Sequence, residues 1–197
     1  MKILSRLLNN CRESDRQIGI ELGISGGAVR ARIQKMEKIG IIEEFFVKVE
    51  PPVLGYGVLY FVVSGENINE IFEQLSLVGE PYVVVPCVGG ITVCSIVVKE
   101  NLEQKLELAN KLMKDVRVLS IFEAENAGFN SNLTKTDLEI LEELIKDPRQ
   151  RIEKIAKITN MSTKTITRCI EKLQKNDGIQ FTLVYDPTKI EDFIPHA

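Results

Sequence analysis

Apolar residues recur at helical spacing near both ends of the chain, while the middle carries short runs of β-branched and aromatic residues. At the N-terminus Ile3, Leu4, Leu7 and Leu8 share one face of a first helix. A short second helix is predicted over 15–22, and Gly23 supplies a residue type that tolerates a left-handed backbone at a helix end. Ser25 is then an N-cap for a third helix, on which Val29, Ile33 and Met36 form an apolar stripe. A strand follows over 41–49 and closes on Glu50-Pro51. The C-terminal part repeats this order. Leu138, Leu141, Leu144 and Ile145 lie on a helix opened by Thr134 ahead of Asp137, close to a capping-box pattern. A short helix over 151–159, Asn160, Ser162, a third helix and a strand over 179–185 follow, closed by Asp186-Pro187.

The repetition is literal. At an offset of 137, residues 3–42 align with 140–179 without a gap, and ten of the 40 pairs are identical. The matches fall on apolar positions such as Ile3/Ile140, Leu7/Leu144, Ile18/Ile155 and Ile33/Ile170, and on Arg12/Arg149 and Ser25/Ser162. Helix, tight turn, helix at this spacing is a helix-turn-helix, and the closing strand makes each copy a winged variant whose wing is not legible.

The middle reads differently. Strands are predicted over 58–64, 82–88, 91–98 and 116–124, with helices over 67–78 and 102–113. The first of these helices places Ile68, Ile71, Phe72 and Leu75 on one side, and the second Leu102, Leu106, Ala109 and Met113. Gly89-Gly90 separates two apolar runs as a hairpin turn does. The order β-α-β-β-α-β is the ferredoxin-like pattern, whose strand order 4-1-3-2 puts the second strand at an edge, where Pro86 is tolerated. Both faces of the first strand are apolar, so the open sheet face is expected to be covered by another copy of the chain. The expected fold is α+β: a winged helix-turn-helix over 1–44, a ferredoxin-like domain over 45–130 and a second winged helix-turn-helix over 131–197.

Charge separates these parts further. The total of −3 hides +2 over residues 1–44, −5 over 45–130 and zero over 131–197. Between Arg149 and Lys175, eight basic residues face only Glu153 and Glu171, an excess of +6. Local field decides nucleic-acid binding, so the acidic total does not exclude it. The third helices are the candidate reading elements. Opposite the apolar stripe the first copy shows Gly27, Ala31, Gln34 and Lys38 flanked by Arg30 and Lys35; the second shows Lys164, Arg168, Glu171 and Lys175 flanked by Thr167 and Lys172. Gly26 and Gly27 let a helix N-terminus approach a phosphate, while Ser162, Thr163 and Lys164 bring hydroxyl and basic groups to base edges and phosphates. The alternative for either copy is a module that only packs or dimerises.

Other chemistry is sparse. Cys11, Cys87, Cys94 and Cys169 are scattered without a CxxC pair, arguing against structural zinc and a disulfide framework, and the single histidine is His196. No catalytic residue, metal or cofactor is expected. No apolar run approaches the ~20 residues of a membrane span and no signal peptide opens the chain, so a cytoplasmic protein is expected.

On these residues the chain resembles the Lrp/AsnC transcriptional regulators over residues 1–125. The matching features are Ser25 at the start of the reading helix, the run Val29-Arg30-Ala31-Arg32-Ile33, and Gly40-Ile41-Ile42 at its end. The resemblance implies double-stranded DNA as partner, with Ser25, Gly26, Gly27, Arg30, Arg32 and Lys35 in the first copy as contacts. In the second copy the expected contacts are Ser162, Thr163, Lys164, Thr167, Arg168 and Lys172. It also implies a homodimer or higher oligomer through the RAM-type sheet domain, and an amino-acid-like effector near Gly89 and Gly90. The segment Gly89-Gly90-Ile91-Thr92-Val93 lacks the acidic residue the family usually carries there, and the second winged helix is an addition to the simple family architecture. That addition fits a fragment or descendant of a doubled form. The architecture is also similar to siroheme decarboxylase subunits, and a sensor or oligomerisation protein that does not bind DNA is a further alternative.

Overall fold

The computed structural model describes residues 2–65, 67–99, 102–113, 116–123 and 132–190, with Leu102 described by its backbone alone. The expected strand end at Ala124 and His196 lie outside these residues. Two compact units emerge, one made of Met1–Val49 with Leu133–Ala197 and the other of Glu50–Asn132.

The first unit contains both repeats. In the N-terminal module α1 (Lys2–Asn9) buries Ile3, Leu4 and Leu7 against α2 (Asp15–Leu22) and α3 (Gly26–Lys38). Ser14 and Ser25 cap α2 and α3, accepting from the backbone N–H of Gln17 at 3.2 Å and Ala28 at 3.1 Å. Gly23, at φ 68°, turns the chain between them. Gly19 permits the close crossing of the two helices, since a Cβ there would stand 2.6 Å from the Ile24 carbonyl oxygen. In the C-terminal module α6 (Lys135–Lys146), α7 (Ile152–Thr159) and α8 (Thr163–Gln174) repeat the arrangement. Thr134 and Asp137 form a full capping box, Asn160 takes the left-handed turn at φ 54°, and Ser162 caps α8.

One part of the expected core is corrected. Leu138 and Ile145 are 42% and 54% exposed, and Ile140 is fully buried. Asp137 faces α8, where it pairs with Lys172, and this fixes the rotation of α6 so that Asp137, Ile140, Leu141 and Leu144 point inward.

The closing strands, β1 (Ile42–Val49) and β6 (Ile179–Tyr185), pair with each other in an antiparallel two-stranded sheet. Phe45 faces Leu183, Phe46 faces Thr182 and Val47 faces Phe181. Backbone groups cross elsewhere too, from Cys11 N to the Phe181 carbonyl at 2.9 Å and from Asp186 N to that of Ile41 at 3.0 Å. The two modules, expected as separate domains, therefore share one unit, because each strand finds its hydrogen-bond partners in the other copy.

The second unit follows the expected order: β2 (Gly57–Ser64), α4 (Ile68–Val78), β3 (Glu80–Cys87), β4 (Ile91–Val98), α5 (Leu102–Leu112) and β5 (Arg117–Glu123). The sheet order is β3-β4-β2-β5, which leaves Pro86 on an edge strand. Leu59, Phe61, Val63, Cys94 and Ile96 line the face covered by α4 and α5. On α4 the inward stripe is Ile71, Leu75 and Val78; Ile68 and Phe72, expected beside them, are exposed because the helix turns its 71–75–78 line to the sheet. On the other sheet face Tyr60 stacks on Phe122 with ring centroids 5.5 Å apart, and Val85 and Phe122 are exposed.

Candidate nucleic-acid interface

In both modules the third helix is opened by a serine whose hydroxyl is engaged in the cap. Ser162 Oγ accepts from Thr165 N at 3.1 Å and lies 2.9 Å from the Thr165 hydroxyl. Ser25 and Ser162 thus start α3 and α8 and orient the residues after them.

On α8 the buried line is Ile166, Cys169, Ile170 and Leu173. Lys164, Arg168 and Lys175 are exposed on the opposite face, with Thr163 at its start. The Thr167 hydroxyl donates back to the Thr163 carbonyl oxygen at 2.9 Å. Lys172 is drawn to Asp137 on α6, whose carboxylate also accepts from the Thr134 backbone N–H at 2.8 Å. Burial pushes that carboxyl up, but the bonds from Lys172 and Thr134 outweigh it and hold Asp137 down at about 2. Cys169 is buried beside the same carboxylate, and burial, then Asp137, pushes its thiol up to about 12. Lys172 therefore ties α8 to α6, whereas Lys164 and Arg168 extend outward.

On α3 the exposed face is Gly27, Ala31, Gln34 and Lys38. Gly27 has open space at its Cβ position, with only Ser25 Oγ at 3.9 Å, whereas a Cβ on Gly26 would press at 3.2 Å on the backbone of Arg16. Gly26 is thus a packing residue and Gly27 a presented one. Arg30 is exposed and its Nε donates to Asp15 Oδ2 at 3.0 Å. Arg32 lies about 60° from the centre of the apolar stripe at 100° per residue; with Lys35 it edges a groove that also involves Lys2, Leu22 and Met36. In the second copy the position of Arg32 is held by buried Cys169.

The cations Arg151, Lys154 and Lys157 on and before α7 are exposed and belong to the same basic stretch. In a helix-turn-helix the helix before the reading helix crosses the phosphate backbone, and that rule points to them. Asp15 carried no sequence signal, yet it joins Arg30 of its own module to Arg149 of the other. Gly89 and Gly90, at φ 88° and 73°, form the tip of the β3–β4 hairpin, and the Gly90 carbonyl oxygen accepts from Gly65 N at 2.8 Å.

A family model described as winged helix-turn-helix DNA-binding matches residues 1–43 and 133–179, one match on each copy of the repeat. The HTH-type transcriptional regulator Ptr1 of Methanocaldococcus jannaschii is 31% identical over 106 residues, covering 52% of this chain and 72% of that protein. The chain belongs to the Lrp/AsnC family of transcriptional regulators. The HTH-type transcriptional regulator LrpA of Pyrococcus horikoshii is 34% identical over 71 residues, 36% of this chain and 50% of that relative. Several relatives are thus matched over about half their length. The crystal structure of the siroheme decarboxylase NirDL superposes with a TM-score of 0.57 at 16% identity, covering 93% of this chain and 64% of that one, a likeness of fold. For an Lrp/AsnC protein the second winged helix is the distinctive part, and it is there that the cations stand out from α8. No helix among the described residues is long and apolar enough to cross a membrane.

Proposed function

We propose that this chain is a transcriptional regulator that binds duplex DNA through α3 and α8 and assembles with further copies of itself through the open face of its central sheet. The observation that carries the reading is the pair Lys164 and Arg168. They stand on one exposed face at the start of a capped helix, opposite the buried line Ile166, Ile170 and Leu173. Cations so placed suit phosphate oxygens and the acceptor edge of guanine in the major groove. The assembly reading is supported by the stacked Tyr60–Phe122 pair and exposed Val85 on the uncovered sheet face.

The siroheme decarboxylase likeness gives the competing reading. The segment 45–130, which spans the sheet domain, carries a net −5, while the excess of positive charge lies on the C-terminal module. That distribution favours DNA over a poly-carboxylated tetrapyrrole as the anion recognised. The test is binding of the full chain to genomic DNA fragments over a series of salt concentrations, beside an absorbance titration with a tetrapyrrole. Salt-sensitive retention of DNA with no spectral change is expected. A stoichiometric tetrapyrrole spectrum with no DNA retention overturns the proposal.

A further inference from the structure

The β1–β6 ladder has a property that a chance pairing of two strands lacks. Phe45 faces Leu183 and Phe46 faces Thr182. Moving each member of the first pair by the repeat offset of 137 produces the second pair. The same shift turns Glu44 facing Val184 into Phe181 facing Val47. The local two-fold axis of the antiparallel ladder is therefore also the operation that exchanges the two copies of the repeat.

The flanking contacts obey that exchange. Helix α3 packs on β1 as α8 packs on β6, while α1 reaches β6 and α6 reaches β1. Arg12 and Arg149 occupy the same repeat position, and each crosses to the other module. Arg12 donates to the carbonyl oxygens of Pro148 and Gln150, and Arg149 donates to Asp15. One chain thus holds two helix-turn-helix modules in the pseudo-two-fold relation that DNA-binding dimers ordinarily build from two chains.

The two reading faces are not alike. Gly27 stands against Lys164, Arg30 against Thr167, Ala31 against Arg168 and Gln34 against Glu171. Identical helices related by a two-fold read the two halves of a palindrome, and side chains that differ at the base edges specify different bases. We infer that a single chain reads a bipartite, non-palindromic duplex site, one block under α3 and an unlike block under α8. The inference rests on the DNA-binding reading above and names the class of DNA it takes.

The experiment is selection of bound duplexes from a random library by the full chain, repeated with Gln34→Ala and with Arg168→Ala. The expected product is two unlike sequence blocks at fixed spacing. Arg168→Ala should erase the sequence preference of one block and Gln34→Ala that of the other. Scrambling either block should weaken binding roughly tenfold or more, the scale of losing several specified base pairs. Two like blocks in inverted orientation with no unlike block beside them, or a single block that Gln34→Ala leaves intact, overturns the inference while leaving DNA binding in place. A library that does not enrich at all overturns the DNA-binding reading, and this inference falls with it.

Discussion

Arg149 lies 134 residues from Asp15 in sequence, yet its Nη2 donates to Asp15 Oδ1 at 3.0 Å. The same guanidinium stands 5.0 Å from the ring centroid of Phe45 on β1. Both side chains are largely buried, at 26% and 14% exposure. Arg149→Ala removes a charged hydrogen bond and a cation–π contact from the seam between the modules, at a cost of about 1–3 kcal/mol. Arg30 also donates to Asp15 but is 67% exposed, so Arg30→Ala should cost no more than about 0.5 kcal/mol. Amide hydrogen exchange across β1 and β6 of the full chain reads the difference. Exchange there should quicken about tenfold or more in Arg149→Ala and little in Arg30→Ala, and equal acceleration would show that the bond does not hold the seam.

Most of the local architecture was legible because its determinants are local. Ser25, Thr134 and Ser162 accept the backbone bonds their positions call for, and Gly23 and Asn160 take positive φ where a helix must stop and turn. The ferredoxin-like order puts β3 at an edge, where Pro86 fits, and the sheet has that order. The seam was illegible for the opposite reason. Residues 42–49 read as a strand, but its partner begins at Ile179, and nothing local encodes that distance. Helix phase was read less well than helix existence: Leu138, Ile145, Ile68 and Phe72 are apolar residues turned outward by contacts elsewhere on their helices. For the reading helices, the sequence located the presented faces. It did not reveal that Lys172 is engaged by Asp137 or that Gly26 is a packing residue.

Asp137 makes the C-terminal module sensitive to acid. Its residue is 5% exposed, and its carboxyl is held at about 2 against an ordinary 3.8. A carboxyl depressed on folding contributes stability above its unfolded pKa and loses it as pH falls toward the folded value. The contribution, about 2 kcal/mol at neutral pH, should fade between roughly pH 4 and pH 2. Denaturant unfolding of Asp137→Asn against the parent, followed by circular dichroism, checks this. A deficit of about 2 kcal/mol is expected at pH 7 and little difference at pH 2; a deficit of the same size at both pH values contradicts the assignment.

Lys164 and Arg168 should act on DNA mainly through phosphate charge. Each neutralised phosphate contributes about 0.9 to the slope of log affinity against log salt. Replacing both by alanine should weaken binding and reduce that slope by roughly two. Since both are exposed, the fold should be unaffected. Anisotropy titrations of a labelled duplex at several salt concentrations give the slope directly, and an unchanged slope removes these residues from the interface.

Gly27 tests the N-terminal module without disturbing its packing. The Cβ of a substituent there meets only Ser25 Oγ at 3.9 Å, and a carboxylate in the first turn of α3 suits the helix dipole. Gly27→Glu should therefore melt with the parent protein. On DNA the same carboxylate faces phosphate at close range and blocks the approach of the helix N-terminus, so affinity should fall roughly tenfold or more. Gly26→Ala is the contrasting change. Its methyl group presses on the Arg16 backbone at 3.2 Å, so that variant should lose stability, with DNA binding falling only as the folded fraction does. If Gly27→Glu binds with full affinity, α3 does not touch DNA, and the N-terminal module serves the unit through its contacts with the other copy, among them the β1 pairing and the Asp15–Arg149 bond.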